Sequence, residues 1–207
     1  MIFNSLEFMV FLPLVFAFYW GLAKSSRTQN VVLLLASYIF YAWWDWRLLS
    51  LLIVSSVADF YVGKKIAESR KYGNDKQWLY VSLGINLGLL IVFKYFNFFV
   101  LSFKAAFATL GIDLDIHTLN IILPLGISFY TFQTLSYSID IYRKRLEPVQ
   151  DWVKFFTFVA FFPQLIAGPI ERATRMLPIF DRKRSFDYQE ARDGMRYILY
   201  GFFKKVV

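Results

Sequence analysis

The sequence contains no cysteine, which excludes disulfides, thiolate catalysis and S-palmitoylation within its 207 residues. Its only histidine is His117. Charge is scarce as well: 18% of residues are Asp, Glu, Lys or Arg, against 57% hydrophobic and 21% aromatic. Soluble domains of this length rarely combine so few charges with so much Phe and Trp. The amino terminus lacks the basic start and small-residue cleavage site of a secretory signal, and Glu7 is acidic. No internal repeat is found at a fixed period or as an inverted pair, which weakens a transporter reading.

What the chain does have is a succession of charge-free stretches. A hydrocarbon core of about 30 Å needs roughly 20 apolar residues in helical form. The candidates are Phe8 to Ala23, Thr28 to Trp44, Leu48 to Ala58, Gln77 to Phe93, Thr118 to Ile139 and Phe155 to Ile170, with a seventh starting near Tyr197. The pattern predicts an all-α, polytopic transmembrane helical bundle. The chain ends at Val207 inside an aromatic amphipathic run, with no helix-stop signal, so residues 1–207 are expected to be the amino-terminal portion of one membrane domain, truncated before its remaining part.

A net charge of +8 raises the question of nucleic acid, but the basic residues cluster at segment ends, as topology charges facing anionic lipid do. The lipid bilayer is therefore the expected partner, and nucleic acid is not. Lys24 and Arg27, then Lys64 to Lys76, then Arg143 to Arg145 fall in alternate connections, which predicts that these three face the cytoplasm. The Asp45-Trp46-Arg47 hairpin and the stretch from Asn97 to Asn120 are expected on the outer side. Asp59 and Lys94, inside or beside apolar runs, are expected to snorkel to the nearer interface.

Strict alternation fails at Phe155 to Ile170, because a full crossing would deliver Arg172, Arg175, Arg182, Lys183, Arg184 and Arg192 outside. Pro163 and Gly168-Pro169 interrupt this segment, and broken backbone at membrane depth survives only inside protein. A re-entrant segment returning to the cytoplasm is expected; the alternative is a spanning helix kinked at Pro163. In Thr118 to Ile139, Thr131, Thr134 and Ser138 mark one side at i, i+3, i+7, and Gln133, Ser136 and Asp140 repeat the spacing on another. Two polar stripes cannot both face lipid, so Gln133 and Asp140 are expected to point into the bundle, as packing polarity or as the wall of a hydrated path.

At Leu123-Pro-Leu-Gly-Ile-Ser-Phe-Tyr-Thr-Phe-Gln133, followed by Asp140-Ile-Tyr-Arg143, the sequence resembles the membrane-bound O-acyltransferase family, specifically its alginate O-acetyltransferase branch. Phe161-Phe-Pro-Gln-Leu-Ile-Ala-Gly-Pro-Ile-Glu-Arg172 is similar to the second shared block and Tyr200-Gly-Phe-Phe-Lys-Lys-Val206 to the start of the third. The opening Phe3-Asn-Ser-Leu-Glu-Phe8 and the hairpin Tyr41-Ala-Trp-Trp-Asp-Trp-Arg47 extend the resemblance over the whole chain.

The resemblance implies a multi-pass protein of the bacterial cytoplasmic (inner) membrane. It would pass an acetyl group from a cytoplasmic thioester donor such as acetyl-CoA to hydroxyls of an extracytoplasmic polysaccharide: alginate, peptidoglycan or another exopolysaccharide. A periplasmic acyltransferase partner fits the same scheme. No covalently bound cofactor and no metal are implied. The family's general-base histidine belongs to the carboxyl-terminal half and does not match His117, so no catalytic residue is expected in this chain and, alone, it is expected to be inactive. What remains is scaffold and tunnel wall, with Gln133, Gln164, Gly168 and Pro169 as candidate substrate-lining residues. Arg172 and Arg175 read either as topology charge or as guanidinium forks for the donor's phosphates. The competing class is a non-enzymatic membrane protein, such as a small-solute carrier or a structural subunit.

Overall fold

The computed structural model describes residues 3, 5–22, 24–111, 116, 118, 126–165, 168–169 and 171–206. All regular structure among them is helical: α1 (Leu6–Leu22), α2 (Ser26–Ala42), α3 (Trp46–Ser69), α4 (Asp75–Leu90), α5 (Phe96–Ala108), α6 (Ile127–Tyr142), α7 (Trp152–Ala160), α8 (Phe162–Leu165), α9 (Ala173–Asp181) and α10 (Tyr188–Val206). A 3-10 turn extends α3 to Tyr72, and a π-helical turn, Ile91–Tyr95, joins α4 to α5. Two helices are thereby long and apolar enough to cross a membrane, Trp46–Tyr72 and Asp75–Ala108.

Local chemistry sets the helix starts. Ser25 and Thr28 form a reciprocal capping box on α2, with Ser25 Oγ accepting the Thr28 N–H at 3.1 Å and Thr28 Oγ1 accepting the Ser25 N–H at 2.9 Å. Asp45 and Asp151 cap α3 and α7 by accepting the N–H of Arg47 (2.8 Å) and Val153 (2.9 Å). Asp45 thus marks a tight connection between α2 and α3. The outer loop expected from Asn97 is instead helical over Phe96–Ala108, because an apolar run of Phe, Leu and Ala continues the α4 register through the π turn. The seventh segment starts at Tyr188, before its expected place near Tyr197. The polar-striped helix starts at Ile127, with Gly126 (φ 75°) at its N-cap.

Helix α6 packs against α3, α4, α7 and α9. Gly63 on α3 lets it come close: a Cβ there would lie 2.7 Å from Tyr137 Cε1. The Tyr137 hydroxyl in turn accepts the Val149 N–H at 3.0 Å and holds the chain that leads into α7. Tyr137→Phe would strand that buried N–H and is expected to lower stability by about 1–2 kcal/mol in thermal unfolding. A separate aromatic cluster pins α1 to α2 and α8, with Phe11 and Phe40 each 5.4 Å from the Phe162 ring.

Between α3, α4 and α6 the interior is polar. Thr131, Thr134, Ser138, Gln133 and Asp140 are all buried, as the two stripes require. Asp59 is fully buried and does not snorkel. Asn86 donates to Asp59 Oδ1 at 2.7 Å, Ser82 donates to Ser138 at 2.9 Å, and Thr134 donates to Asn86 Oδ1 at 3.0 Å. The reason is register: α3 presents Asp59 to Ser82 and Asn86, one helical turn apart on α4, so the carboxyl finds donors inside the protein. Lys94 donates to Ser128 Oγ at 2.9 Å from an exposed position.

Candidate functional site

The helical hairpin α7–α9 is broken where the sequence carries its prolines. Helix α7 stops at Ala160, Phe161 turns out of helical geometry (ψ 104°), and α8 is a single turn before Gly168-Pro169. The backbone groups freed by this break find internal partners. The Phe162 N–H donates to Ser37 Oγ on α2 at 3.2 Å, the Gly168 N–H to the Gln164 carbonyl at 3.0 Å, and Gln164 Nε2 to the Pro169 carbonyl at 2.8 Å. Gln133 reaches across from α6 and donates to the Phe158 carbonyl at 2.7 Å.

Gly168 is required by contact. A Cβ there would sit 2.6 Å from Gln164 Cα and 3.1 Å from the Gln164 carbonyl oxygen, too close for any side chain. Gly126 meets the same block from α6: its Cβ would lie 2.7 Å from the Leu165 carbonyl oxygen.

Outside this turn lies a cavity of about 430 Å³, lined by Phe161, Gln164, Gly168, Pro169, Glu171 and Arg175 among others. The structure thus brings together Gln164, Gly168, Pro169 and Arg175. Gln133 is buried on the α6 side and Arg172 is exposed; neither belongs to the described lining. Neither the Arg172 nor the Arg175 guanidinium has a hydrogen-bond or ion-pair partner among the described residues. His117, Asp113 and Asp115 lie outside the described residues. Among the described residues no three His, Asp or Glu side chains come together as a metal site.

Two arrangements escaped the sequence reading. One is the buried Asp59–Asn86 pair. The other is a clamp in which Arg184 donates from Nε and from its own N–H to Gln29 Oε1 (3.1 and 2.9 Å), and from Nη2 to Asn30 Oδ1 (2.8 Å). Gln29 returns a bond to the Arg184 carbonyl at 2.7 Å, and Asn30 donates to the Phe180 carbonyl at 2.9 Å. Burial pulls the Arg184 guanidinium below its ordinary pKa, and Tyr19 beside it opposes the shift. Adjacent amides facing the core side of α2 were the available signal, since a buried amide needs partners.

No family model matches the chain, and no solved structure matches it. Curated relatives do. The chain is 38% identical over its whole length to a "Probable alginate O-acetylase" of Pseudomonas syringae and 37% identical to one of Azotobacter vinelandii. It is 33% identical, again over its whole length, to a "Peptidoglycan O-acetyltransferase" of Helicobacter pylori. It spans 39%, 41% and 44% of those proteins, respectively. With the three sequence blocks in order and relatives of two kinds aligned from end to end, the chain belongs to the membrane-bound O-acyltransferase family, in the group of the alginate and peptidoglycan O-acetyltransferases.

Proposed function

We propose that this chain is part of a multi-pass O-acetyltransferase of the bacterial inner membrane. The enzyme takes acetyl from a cytoplasmic thioester donor, acetyl-CoA or a similar compound, and delivers it to hydroxyls of an extracytoplasmic polysaccharide. The observation that carries this reading is end-to-end similarity to proteins named for two different polymer acetylations. The acceptor class is accordingly a hydroxyl-bearing exopolysaccharide or peptidoglycan, with a periplasmic acyltransferase as the partner that completes transfer. The general base comes from residues other than these, and the present residues build the wall of the acyl path at the Gly168-Pro169 turn. Arg175 at the cavity, with Arg172 beside it, supplies positive charge for the donor's phosphates.

Polymer-bound acetate, released by mild base from cells with and without the gene, tests the reading. Acetate that depends on the gene is expected; an unchanged level would favour the non-enzymatic class.

The α7–α9 hairpin is the re-entrant element of this scheme. Helices α7 and α9 have nine residues each, about 13.5 Å at 1.5 Å per residue, less than half of a hydrocarbon core of about 30 Å. The first turn of α7 and the last residue of α9 are tied by Lys154 and Asp181 at 2.6 Å, so the two ends of the element are neighbours. Single cysteines at Gln150 and Ser185 of the complete gene product are expected to resist a membrane-impermeant thiol reagent in intact cells. Both should label after permeabilisation. Labelling of Ser185→Cys alone would demonstrate a full crossing.

A further inference from the structure

Helix α1 and the α9–α10 region border two connected cavities, the smaller of which shares Phe161, Pro163, Met176 and Ile179 with the cavity at the Gly168-Pro169 turn. The larger, about 720 Å³, is flanked by the consecutive basic residues Arg182, Lys183 and Arg184. The smaller, about 370 Å³, is apolar: Leu12, Val15, Leu33, Phe162, Met176 and Phe180 are among its walls. The two share Phe16, Tyr19, Trp20, Ile179 and Arg184, so one groove runs from a charged mouth to a hydrocarbon-lined chamber.

We infer that this groove binds one anionic glycerophospholipid, its phosphate at Arg182 and Lys183 and an acyl chain in the chamber beside α1.

The charges at the mouth are available for this. Neither Arg182 nor Lys183 has a partner among the described residues. Arg184 is held by Gln29 and Asn30 and meets the Tyr19 hydroxyl, so the charge left for a ligand at the mouth is that of Arg182 and Lys183. The carboxylates nearby are Asp187 and Glu190, also in the lining, and Asp181. Asp187 is used as the cap of α10, accepting the Gln189 and Glu190 N–H groups at 2.7 and 3.0 Å, and Asp181 is paired with Lys154. Glu190, in the first turn of α10, faces the dipole of that helix.

The aromatic junction fits the same ligand. Trp20 stacks edge-on against Phe186 at 5.4 Å, and Arg184 lies 5.6 Å from the Tyr19 ring. Trp and Tyr gather at headgroup level, where one end of the ring is wet and the other apolar. The chamber also separates a lipid from the thioester donor, since both carry phosphate. The donor's pantetheine arm bears amides that need hydrogen-bond partners when buried, whereas an acyl chain needs none. The chamber walls offer carbon. The inference rests on the membrane reading above and is independent of the acetyl-transfer chemistry.

Native mass spectrometry of the complete gene product in detergent, with dioleoyl-phosphatidylglycerol or dioleoyl-phosphatidylcholine added, tests it. Phosphatidylglycerol is expected to be retained preferentially. Arg182→Gln with Lys183→Gln, both exposed positions, should reduce that retention roughly fivefold per charge removed. Val15→Trp, which fills the chamber and leaves the charges, should abolish it. Equal retention of the two lipids, no retention by the wild type, or unchanged retention in either variant would overturn the inference. Displacement of the lipid by coenzyme A would instead assign the groove to the donor. Since polymer acetate is measured separately, failure here leaves the acetyl-transfer reading to its own test.

Discussion

Replacing Asn86 with leucine is expected to destabilise the protein by about 3 kcal/mol. Asn86 gives Asp59 its shortest hydrogen bond, 2.7 Å, and receives the Thr134 hydroxyl at 3.0 Å. Asp59 Oδ2 already has no partner. Interhelical hydrogen bonds in membranes are worth only about 0.6 kcal/mol on average, so the lost bonds themselves are the smaller part. The larger part is the carboxyl left buried with only two hydroxyls near it, Thr134 and Ser82, the latter 3.2 Å away and sharing its single proton with Ser138. The double change Asp59→Leu with Asn86→Leu removes the stranded group together with its partner. It is therefore expected to recover most of the loss. Thermal unfolding in detergent of the two single variants and the double variant measures this coupling; additive losses would show that Asn86 and Asp59 do not depend on one another.

This pair also marks where sequence reasoning stops. Burial of the polar stripes of α6 was legible, because Thr131, Thr134 and Ser138 recur at helical spacing and one helix cannot turn two polar faces to lipid. The partners were not legible. Ser82 and Asn86 lie far along the chain from Asp59, and nothing in either segment fixes how α4 rotates against α3. Without that angle, snorkelling was the cheaper place for a lone carboxylate. Apolar runs bounded by charge located the helices, but their limits shifted where charge and helix disagree. Helix α3 carries Asp59, Lys64, Lys65 and Glu68 without a break, because none of them opposes helical geometry and each finds water or a partner. An interruption at Pro163 and Gly168-Pro169 was legible for the opposite reason, since proline removes donors wherever it stands.

Of the candidate residues, Gln164, Gly168, Pro169 and Arg175 line one cavity, since they are near one another along the chain. Gln133 belongs to the same block by a different route, through the Phe158 carbonyl on the far side of α7. Arg172 lies outside because it occupies the N-cap position of α9 with extended backbone, and its side chain is exposed. Glu171, also in the lining, has no spacing that marks it in the sequence.

Gly168→Val is expected to reduce gene-dependent polymer acetate by about a hundredfold while leaving the protein in the membrane. The β-carbon would be placed 2.6 Å from Gln164 Cα and 3.0 Å from Gln164 Cγ, and Cα belongs to the backbone of α8, which cannot swing aside as a side-chain tip can. Relief requires the turn to open by the better part of an ångström. That motion would stretch the 2.8 Å bond from Gln164 to the Pro169 carbonyl and reshape the cavity that Arg175 borders. A displacement of about 1 Å in positioning groups is sufficient for a hundredfold loss in rate, even from a change remote from the reacting atoms. Gln164→Ala separates the two contributions: it removes the same hydrogen bond without the steric push, and a smaller loss, on the order of tenfold, is expected from the bond alone. Both variants are compared at equal protein level in isolated membranes, by acetate released from the polymer. Wild-type acetate in Gly168→Val at matched abundance would detach the Gly-Pro turn from the acyl path and return it to a purely structural role in closing the α7–α9 hairpin.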